Sequence, residues 1–281
     1  MKTAENMHSK TVLNNGVEME CFGLGLYRAE PGDDAYNAAR YALDYGYRLI
    51  DTAEFYKNED DVGRAVADSG VPREDVFITS KIWPTDFNDP AAAFENCLRY
   101  IQSDYIDMYL LHWPGVDVGA RYKTWEYILG QMEKGKIRAC GVSNFCEGHL
   151  DDLTNQFGVV PANNQIELHP WYQRRDLRAY CAQKGISVTA WGPIFHGHLS
   201  EEPLVAELGE KIGRSAAQVT LRWHLQHGIN IIPKSSKKER IESNAQIFDF
   251  ALSDEDMAAI DALDGKGSVN SLDPYTFDGN I

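Results

Sequence analysis

The 281-residue chain is predicted to be an α/β protein: a (β/α)8 TIM barrel with an N-terminal β-hairpin cap and two extra helices. Three observations predict it. Short apolar runs alternate with helically spaced apolar residues eight times. No linker-like or low-complexity stretch interrupts them, so residues 1–281 are expected to form one domain. Polar side chains capable of chemistry recur at the carboxyl ends of consecutive candidate strands, where barrel enzymes place theirs. The competing architecture is an open, doubly wound sheet.

Thr11-Val12-Leu13 and Val17-Glu18-Met19-Glu20 flank Asn14-Asn15-Gly16, whose Asn-Gly step supplies the positive φ of a tight turn. This hairpin is expected to cap one end of the barrel. Residues 21–27 read as the first barrel strand. Ala35, Ala38, Ala39, Ala42 and Leu43 then fall at i, i+3, i+4, i+7 and i+8, and Gly46 offers the stop. The unit repeats as strand 48–51 with a helix near 60–68, strand 76–81 with a helix opened by Asp89-Pro90, strand 106–112 with a helix near 123–134, and strand 137–142 with a helix near 147–155. Strands six to eight are read at 162–166, 187–191 and 229–232. Two helices, 203–212 and 215–226, separate the last two, and a Ser215-x-x-Gln218 capping box opens the second. A closing helix starts at Ser253 and stops by Gly265; the Gly-, Ser-, Asn- and Asp-rich tail after it is expected to be mobile.

Lys and Arg number 27 against 42 Asp and Glu, a net charge of -15, which argues against nonspecific binding to nucleic acid or an anionic membrane. The 5 cysteines show no C-x-x-C spacing, so neither a disulfide framework nor a zinc ribbon is indicated. The first ten residues carry no apolar signal core, and no later run reaches the ~18 residues of a membrane span. A cytoplasmic, monomeric protein is expected. His196-x-His198 has no third ligand at a plausible spacing, so no metal site is expected.

The chain is organised around residues 49–59. Asp51 ends a short strand and Tyr56 follows five residues later; Lys81 and His112 end the next two strands. Singly, each has an ordinary reading: a helix cap, a loop aromatic, a solvated charge, a core histidine. Together, on adjacent parallel strands, they converge. Gly23-Leu24-Gly25 invites a dinucleotide-binding reading, but Arg28 stands where G-x-G-x-x-G needs its third glycine. Those glycines either admit a ligand close to the backbone or serve packing.

Asp51, Tyr56, Lys81 and His112, together with Gly141-Val142-Ser143-Asn144-Phe145, Asn164-Gln165-Ile166-Glu167, Trp191-Gly192-Pro193 and Ile232-Pro233-Lys234-Ser235, resemble the aldo-keto reductase superfamily over nearly the whole chain. The short loops and Arg222-Trp223-His224-Leu225 most resemble bacterial 2,5-diketo-D-gluconate reductases and prostaglandin F synthase-like reductases. The tail lacks the Arg and His those sugar-acid enzymes often carry.

The resemblance implies NADPH-dependent reduction of small aldehydes and ketones, with Tyr56 as proton donor. A free phenol has a pKa of ~10, so Lys81 is expected to favour the phenolate, Asp51 to orient Lys81, and neutral His112 to polarise the carbonyl. The resemblance places Ser143, Asn144 and Gln165 around the nicotinamide carboxamide and Trp191 on the ring face; Ser143-Asn144 capping the next helix is the ordinary alternative. Lys234, Ser235, Arg240 and Asn244 would hold the adenosine end and the extra phosphate, although Ser243 replaces a common Glu beside Asn244. Tyr27, Phe55, Trp83 and Trp113 would line the substrate pocket. Two other classes compete: a weakly catalytic, cofactor-sensing binding module on the same barrel, and a lyase or isomerase using Lys81 as a Schiff-base amine.

Overall fold

The computed structural model describes residues 4–280, the side chains of residues 196 and 200 excepted. The chain opens with an antiparallel hairpin of β1 (Lys10–Val12) and β2 (Glu18–Glu20), with Lys10 opposite Glu20 and Val12 opposite Glu18. Eight parallel strands follow in chain order: β3 (Leu24–Gly25), β4 (Leu49–Asp51), β5 (Phe77–Ile82), β6 (Ile106–Leu111), β7 (Ile137–Ser143), β8 (Asn163–Glu167), β9 (Ser187–Trp191) and β10 (Asn230–Ile231). First and last strands join, because Gly23 N–H donates to the Ile231 carbonyl at 3.0 Å and Ile231 N–H to the Cys21 carbonyl at 2.9 Å. The sheet is therefore closed, and the doubly wound alternative fails.

That closure decides the role of the early glycines. A Cβ on Gly23 would stand 2.7 Å from the Leu49 carbonyl oxygen, and one on Gly25 would stand 2.6 Å from that of Ile232. Both glycines let neighbouring strands meet.

The helices are α1 (Asp33–Tyr45), α2 (Glu59–Ser69), α3 (Pro90–Ile101), α4 (Val118–Glu133), α5 (Glu147–Phe157), α6 (Arg175–Lys184), α7 (Pro203–Ile212), α8 (Ala216–Gln226), α9 (Lys238–Ala245) and α10 (Asp254–Asp261). Caps fall where the sequence offered them: Asp89 accepts from Ala92 N–H at 3.1 Å, Ser215 and Gln218 bond reciprocally, and Ser253 accepts from Asp256 N–H at 3.1 Å. Two readings are corrected. Helix α4 begins at Val118, ahead of residue 123, because Asp117 caps Ala120 N–H at 2.9 Å while Gly119 hides the start of the apolar spacing. The tail after α10 is not a loose end. Glu167 accepts from Val269 N–H at 2.8 Å, and Phe277 is only 6% exposed, in contact with Trp83 and Trp113.

Side-chain alternation along the strands separates two layers. Outward residues such as Ile50, Ile78, Leu111, Val142 and Ile166 pack with the helices. The inward column is apolar at the amino-terminal foot, where Leu49, Phe77, Met108 and Leu110 meet Leu13 and Met19 around the hairpin. The hairpin thus plugs the foot beside β4–β6, while on the β8–β10 side Asn163, Ser187, Thr189 and Asn230 are linked by hydrogen bonds that Thr11 of the hairpin joins. Among the described residues no helix is long and apolar enough to cross a membrane.

Candidate active site

After β4 the chain runs through Thr52 and Ala53 into a single 3₁₀ turn, Glu54–Tyr56, closed by Lys57 at φ 58°. Buried Asn58 fixes this turn: its amide donates to the Leu26 and Ala29 carbonyls at 3.1 and 3.2 Å and accepts from Thr52 Oγ1 at 2.6 Å. The loop bearing Tyr56 is thereby bound to the loop after β3.

Lys81 arrives from β5 with 0% of its surface exposed. Its Nζ donates to Asp51 Oδ1 at 2.6 Å, to the Thr52 carbonyl at 2.8 Å and to the Tyr56 hydroxyl at 3.3 Å, which uses all three ammonium hydrogens. The second Asp51 oxygen accepts from Gln165 Nε2 at 2.7 Å. A buried charge costs heavily unless paired and hydrogen-bonded, and here both ions are. Burial pushes the Asp51 carboxyl up and the Lys81 ammonium down, and the attraction between them opposes both shifts.

Tyr56 is half-buried, with His112 Nε2 3.4 Å from its hydroxyl. Burial first, then the Asp51 charge and the neighbouring Tyr27, raise its phenol well above the usual value. Lys81, while paired with Asp51, also reaches the Tyr56 hydroxyl, so the cation expected to favour the phenolate stands beside it. Burial, helped by the Lys81 cation, holds His112 well below the usual imidazole range, so it is neutral. Among the described residues its Nδ1 is buried without a partner.

A second group adjoins the first. Asn144, in the left-handed region at φ 62°, donates to the His112 carbonyl at 2.9 Å and to Ser143 Oγ at 3.1 Å, and its oxygen accepts from Trp191 Nε1 at 2.9 Å. Ser143 Oγ donates to the Gln165 carbonyl at 2.8 Å. Neither Ser143 nor Asn144 caps α5; Cys146 does, with His149. Ser143, Asn144, Gln165 and Trp191 thus form one network, joined to the first group through Asp51 and His112.

The basic cluster follows β10. Lys234 Nζ donates to Ser236 Oγ at 3.0 Å, and Ser236 in turn donates to Asp34 at 2.8 Å. Ser235 Oγ accepts from Lys237 N–H at 3.1 Å, and Asn244 is buried on α9. Lys238 lies 4.0 Å from Glu242 and over the Tyr41 ring. Among the described residues, the exposed side chains of Lys237 and Arg240 make no hydrogen bond or ion pair.

At the mouth, Tyr27 lies against Tyr56 with ring centroids 5.2 Å apart, and Phe55 stacks on Trp83 at 4.0 Å. Trp83 meets His112 edge-on at 4.8 Å and Trp113 meets Phe277 at 4.9 Å. All four predicted pocket aromatics are there. Sequence reasoning missed Phe277, signalled only by an aromatic inside a polar tail, and Glu54, whose carboxylate accepts from Trp83 N–H at 3.3 Å. A groove of about 630 Å³ lies at the foot, among Thr11, Arg178, Ile186 and Ile229; no predicted site residue lines it. His198 bonds Glu201, the His196 side chain lies outside the described residues, and among the described residues no three ligands gather for a metal.

Comparison with known proteins adds to this geometry. Residues 21–265 match the model of the aldo/keto reductase family. Glyoxal reductase of Bacillus subtilis (strain 168) is 49% identical over 254 residues, 89% of this chain and 91% of its own. Methylglyoxal reductase DkgA of Escherichia coli O157:H7 is 38% identical over 95% of this chain and 97% of its own. Among solved structures, an aldo/keto reductase from Brucella melitensis superposes with a TM-score of 0.88 at 40% identity, covering 91% of this chain and 99% of that one. A Gox0644 variant in complex with NADPH gives 0.91 at 34% identity, covering 96% and 98%.

Proposed function

The chain belongs to the aldo/keto reductase family, and from that premise we propose that it reduces small aldehydes and ketones to alcohols with NADPH, Tyr56 giving the proton. The observation that carries this reading is the Tyr56 hydroxyl set between Lys81 Nζ at 3.3 Å and His112 Nε2 at 3.4 Å, beneath an aromatic mouth.

The residues present fit the cofactor. Among the described residues the side-chain oxygen of Gln165 has no donor, which leaves an acceptor for a carboxamide beside Ser143 and Asn144. The half-buried Trp191 is tied to Asn144 through its Nε1, which sets its ring beside the Ser143–Asn144–Gln165 group. Arg240 and Lys237, unpaired among the described residues, together with Lys234, Ser235 and the buried Asn244 of α9, suit a phosphate on an otherwise acidic protein. NADPH, when bound, supplies the hydride.

The chain's own residues manage the proton. A phenol, with an ordinary pKa of ~10, is protonated at neutral pH, so Tyr56 holds the proton that a carbonyl oxygen would take. Neutral His112 carries one ring proton. Leaving the partnerless Nδ1 as a bare acceptor costs less than burying an unpaired N–H, which puts that proton on Nε2, facing Tyr56 and the mouth. His112 then donates to the same carbonyl oxygen and fixes its direction. Lys81, through its hydrogen bond, stabilises the phenoxide left behind. With its three hydrogens in use and no exposed surface, Lys81 is poorly placed to attack a carbonyl as an amine, which weighs against the Schiff-base reading.

NADPH oxidation measured against glyoxal, methylglyoxal, aldoses and aromatic aldehydes tests the proposal. Turnover with at least one carbonyl that disappears in Tyr56→Phe is expected, whereas NADPH binding with no turnover on any of them would favour the sensing module.

A further inference from the structure

The acid just ahead of the Phe55-Tyr56 pair has no part in the mechanism above. Glu54 begins the 3₁₀ turn that carries Tyr56, and its Oε2 accepts from the backbone N–H of Trp83, two residues past Lys81. Trp83 is the side chain on which the mouth is assembled. Its ring stacks on Phe55 at an interplanar angle of 17°, meets His112 edge-on and touches Phe277 at 5.6 Å. Its Nε1 donates to the Gly279 carbonyl at 2.8 Å. One carboxylate thus links the catalytic turn, the end of β5 and the carboxy-terminal segment.

The groups facing Glu54 are mostly acidic. Asp86, on the turn after Trp83, and Glu59, on α2, oppose its charge; Trp83 N–H and Lys57, on its own turn, support it. Burial outweighs them all, and the carboxyl is pushed up to about 7. Its charge therefore changes within the neutral range. A hydrogen bond to a carboxylate is roughly twice as strong as one to a neutral acceptor, so the hold on Trp83 changes with it.

We propose that Glu54 is a positioning residue whose charge sets the substrate-facing wall: the carboxylate fixes Trp83 and, through it, the segment around Phe277, and protonation loosens both. The substrate half of this statement rests on the carbonyl-reductase reading; the structural half does not. KM for the carbonyl should then rise as pH falls through neutrality, while kcat at saturation follows Tyr56 and is little affected by Glu54.

The test compares the full-length wild type with Glu54→Gln, which keeps the acceptor and removes the titration. KM for glyoxal with saturating NADPH, and tryptophan fluorescence with the Trp83→Phe signal subtracted, are followed between about pH 5.5 and 8.5. Wild-type KM should rise about threefold to tenfold toward the acid end, as expected for weakening one charged hydrogen bond. Glu54→Gln should hold the acid-end KM throughout, and the Trp83 fluorescence step should vanish with the carboxyl. A KM profile in Glu54→Gln that matches the wild type, or flat profiles and flat fluorescence in both, would overturn the proposal while leaving the reductase reading intact. A Glu54-dependent fluorescence step without carbonyl turnover would do the reverse, supporting the positioning role and sinking the reductase.

Discussion

The two ends of the barrel's inner column solve opposite problems with the same strands. At the foot, Leu49, Phe77, Met108 and Leu110 close against a hairpin and need only be dry and well packed. At the other end, two to four residues further along, Asp51, Lys81 and His112, with Gln165 of β8, are just as buried but polar, and each hydrogen-bonds to a particular neighbour. The difference separates stability from chemistry along the strands. Packing supports the fold from one end, and the other can hold costly buried ions.

Tyr56→Phe should break the upper end most severely. Turnover should fall by ~10²–10⁴-fold, the usual contribution of a general acid, with melting temperature and NADPH affinity nearly unchanged. Half of wild-type turnover with chemistry rate-limiting would remove Tyr56 from the role. The mirror experiment is Phe77→Ala at the foot. It should cost about 3–5 kcal/mol of stability in denaturant titrations while kcat of the folded fraction stays within a few-fold. A large loss of kcat there would mean the two ends are coupled.

Arg240→Ala sharpens the contrast on the rim, where charges are exposed and act one by one. NADPH binding should weaken by about 10–150-fold, with a flatter salt dependence, while NADH binding changes little. Equal losses for both cofactors in fluorescence titrations would make Arg240 structural. The smallest effect concerns pH. The fold holds His112 neutral, whereas in the unfolded chain it takes up a proton below its usual 6.5, so stability should fall as pH drops below that value. At most about 1.4 kcal/mol per pH unit comes from one such group, and His112→Asn should remove that part of the acid-side slope.

What the sequence revealed follows the same division. Asp51, Lys81 and His112 were legible because a strand's period of two sets its residues' facing, and each falls at a strand end. Helix α6 went unread because its buried face amounts to Leu177 and Cys181, too few for periodicity to register. The Glu54 bond lies within the central stretch but is invisible in the sequence, since its partner is the backbone of residue 83 and any residue but proline there would present the same N–H. Phe277 meets Trp83 from 194 residues further along the chain, and no local pattern connects the two. The basic run 234–240 was legible as charge, but not which of its members would be free: among the described residues Lys238 has partners and the Arg240 side chain does not.

The route of the tail also bears on how the protein can be handled. Gly279 sits against Trp83 at the mouth, while near the other terminus the Ala4 carbonyl accepts from Arg222 at 3.2 Å, ahead of the hairpin that seals the foot. An affinity tag, fluorescent fusion or surface linker appended at the carboxyl end would crowd the entrance and pull on Phe277. The same appendage at the amino end would start beside an Ala4 held by Arg222 of α8 and not beside Trp83, so an immobilised preparation should be attached there.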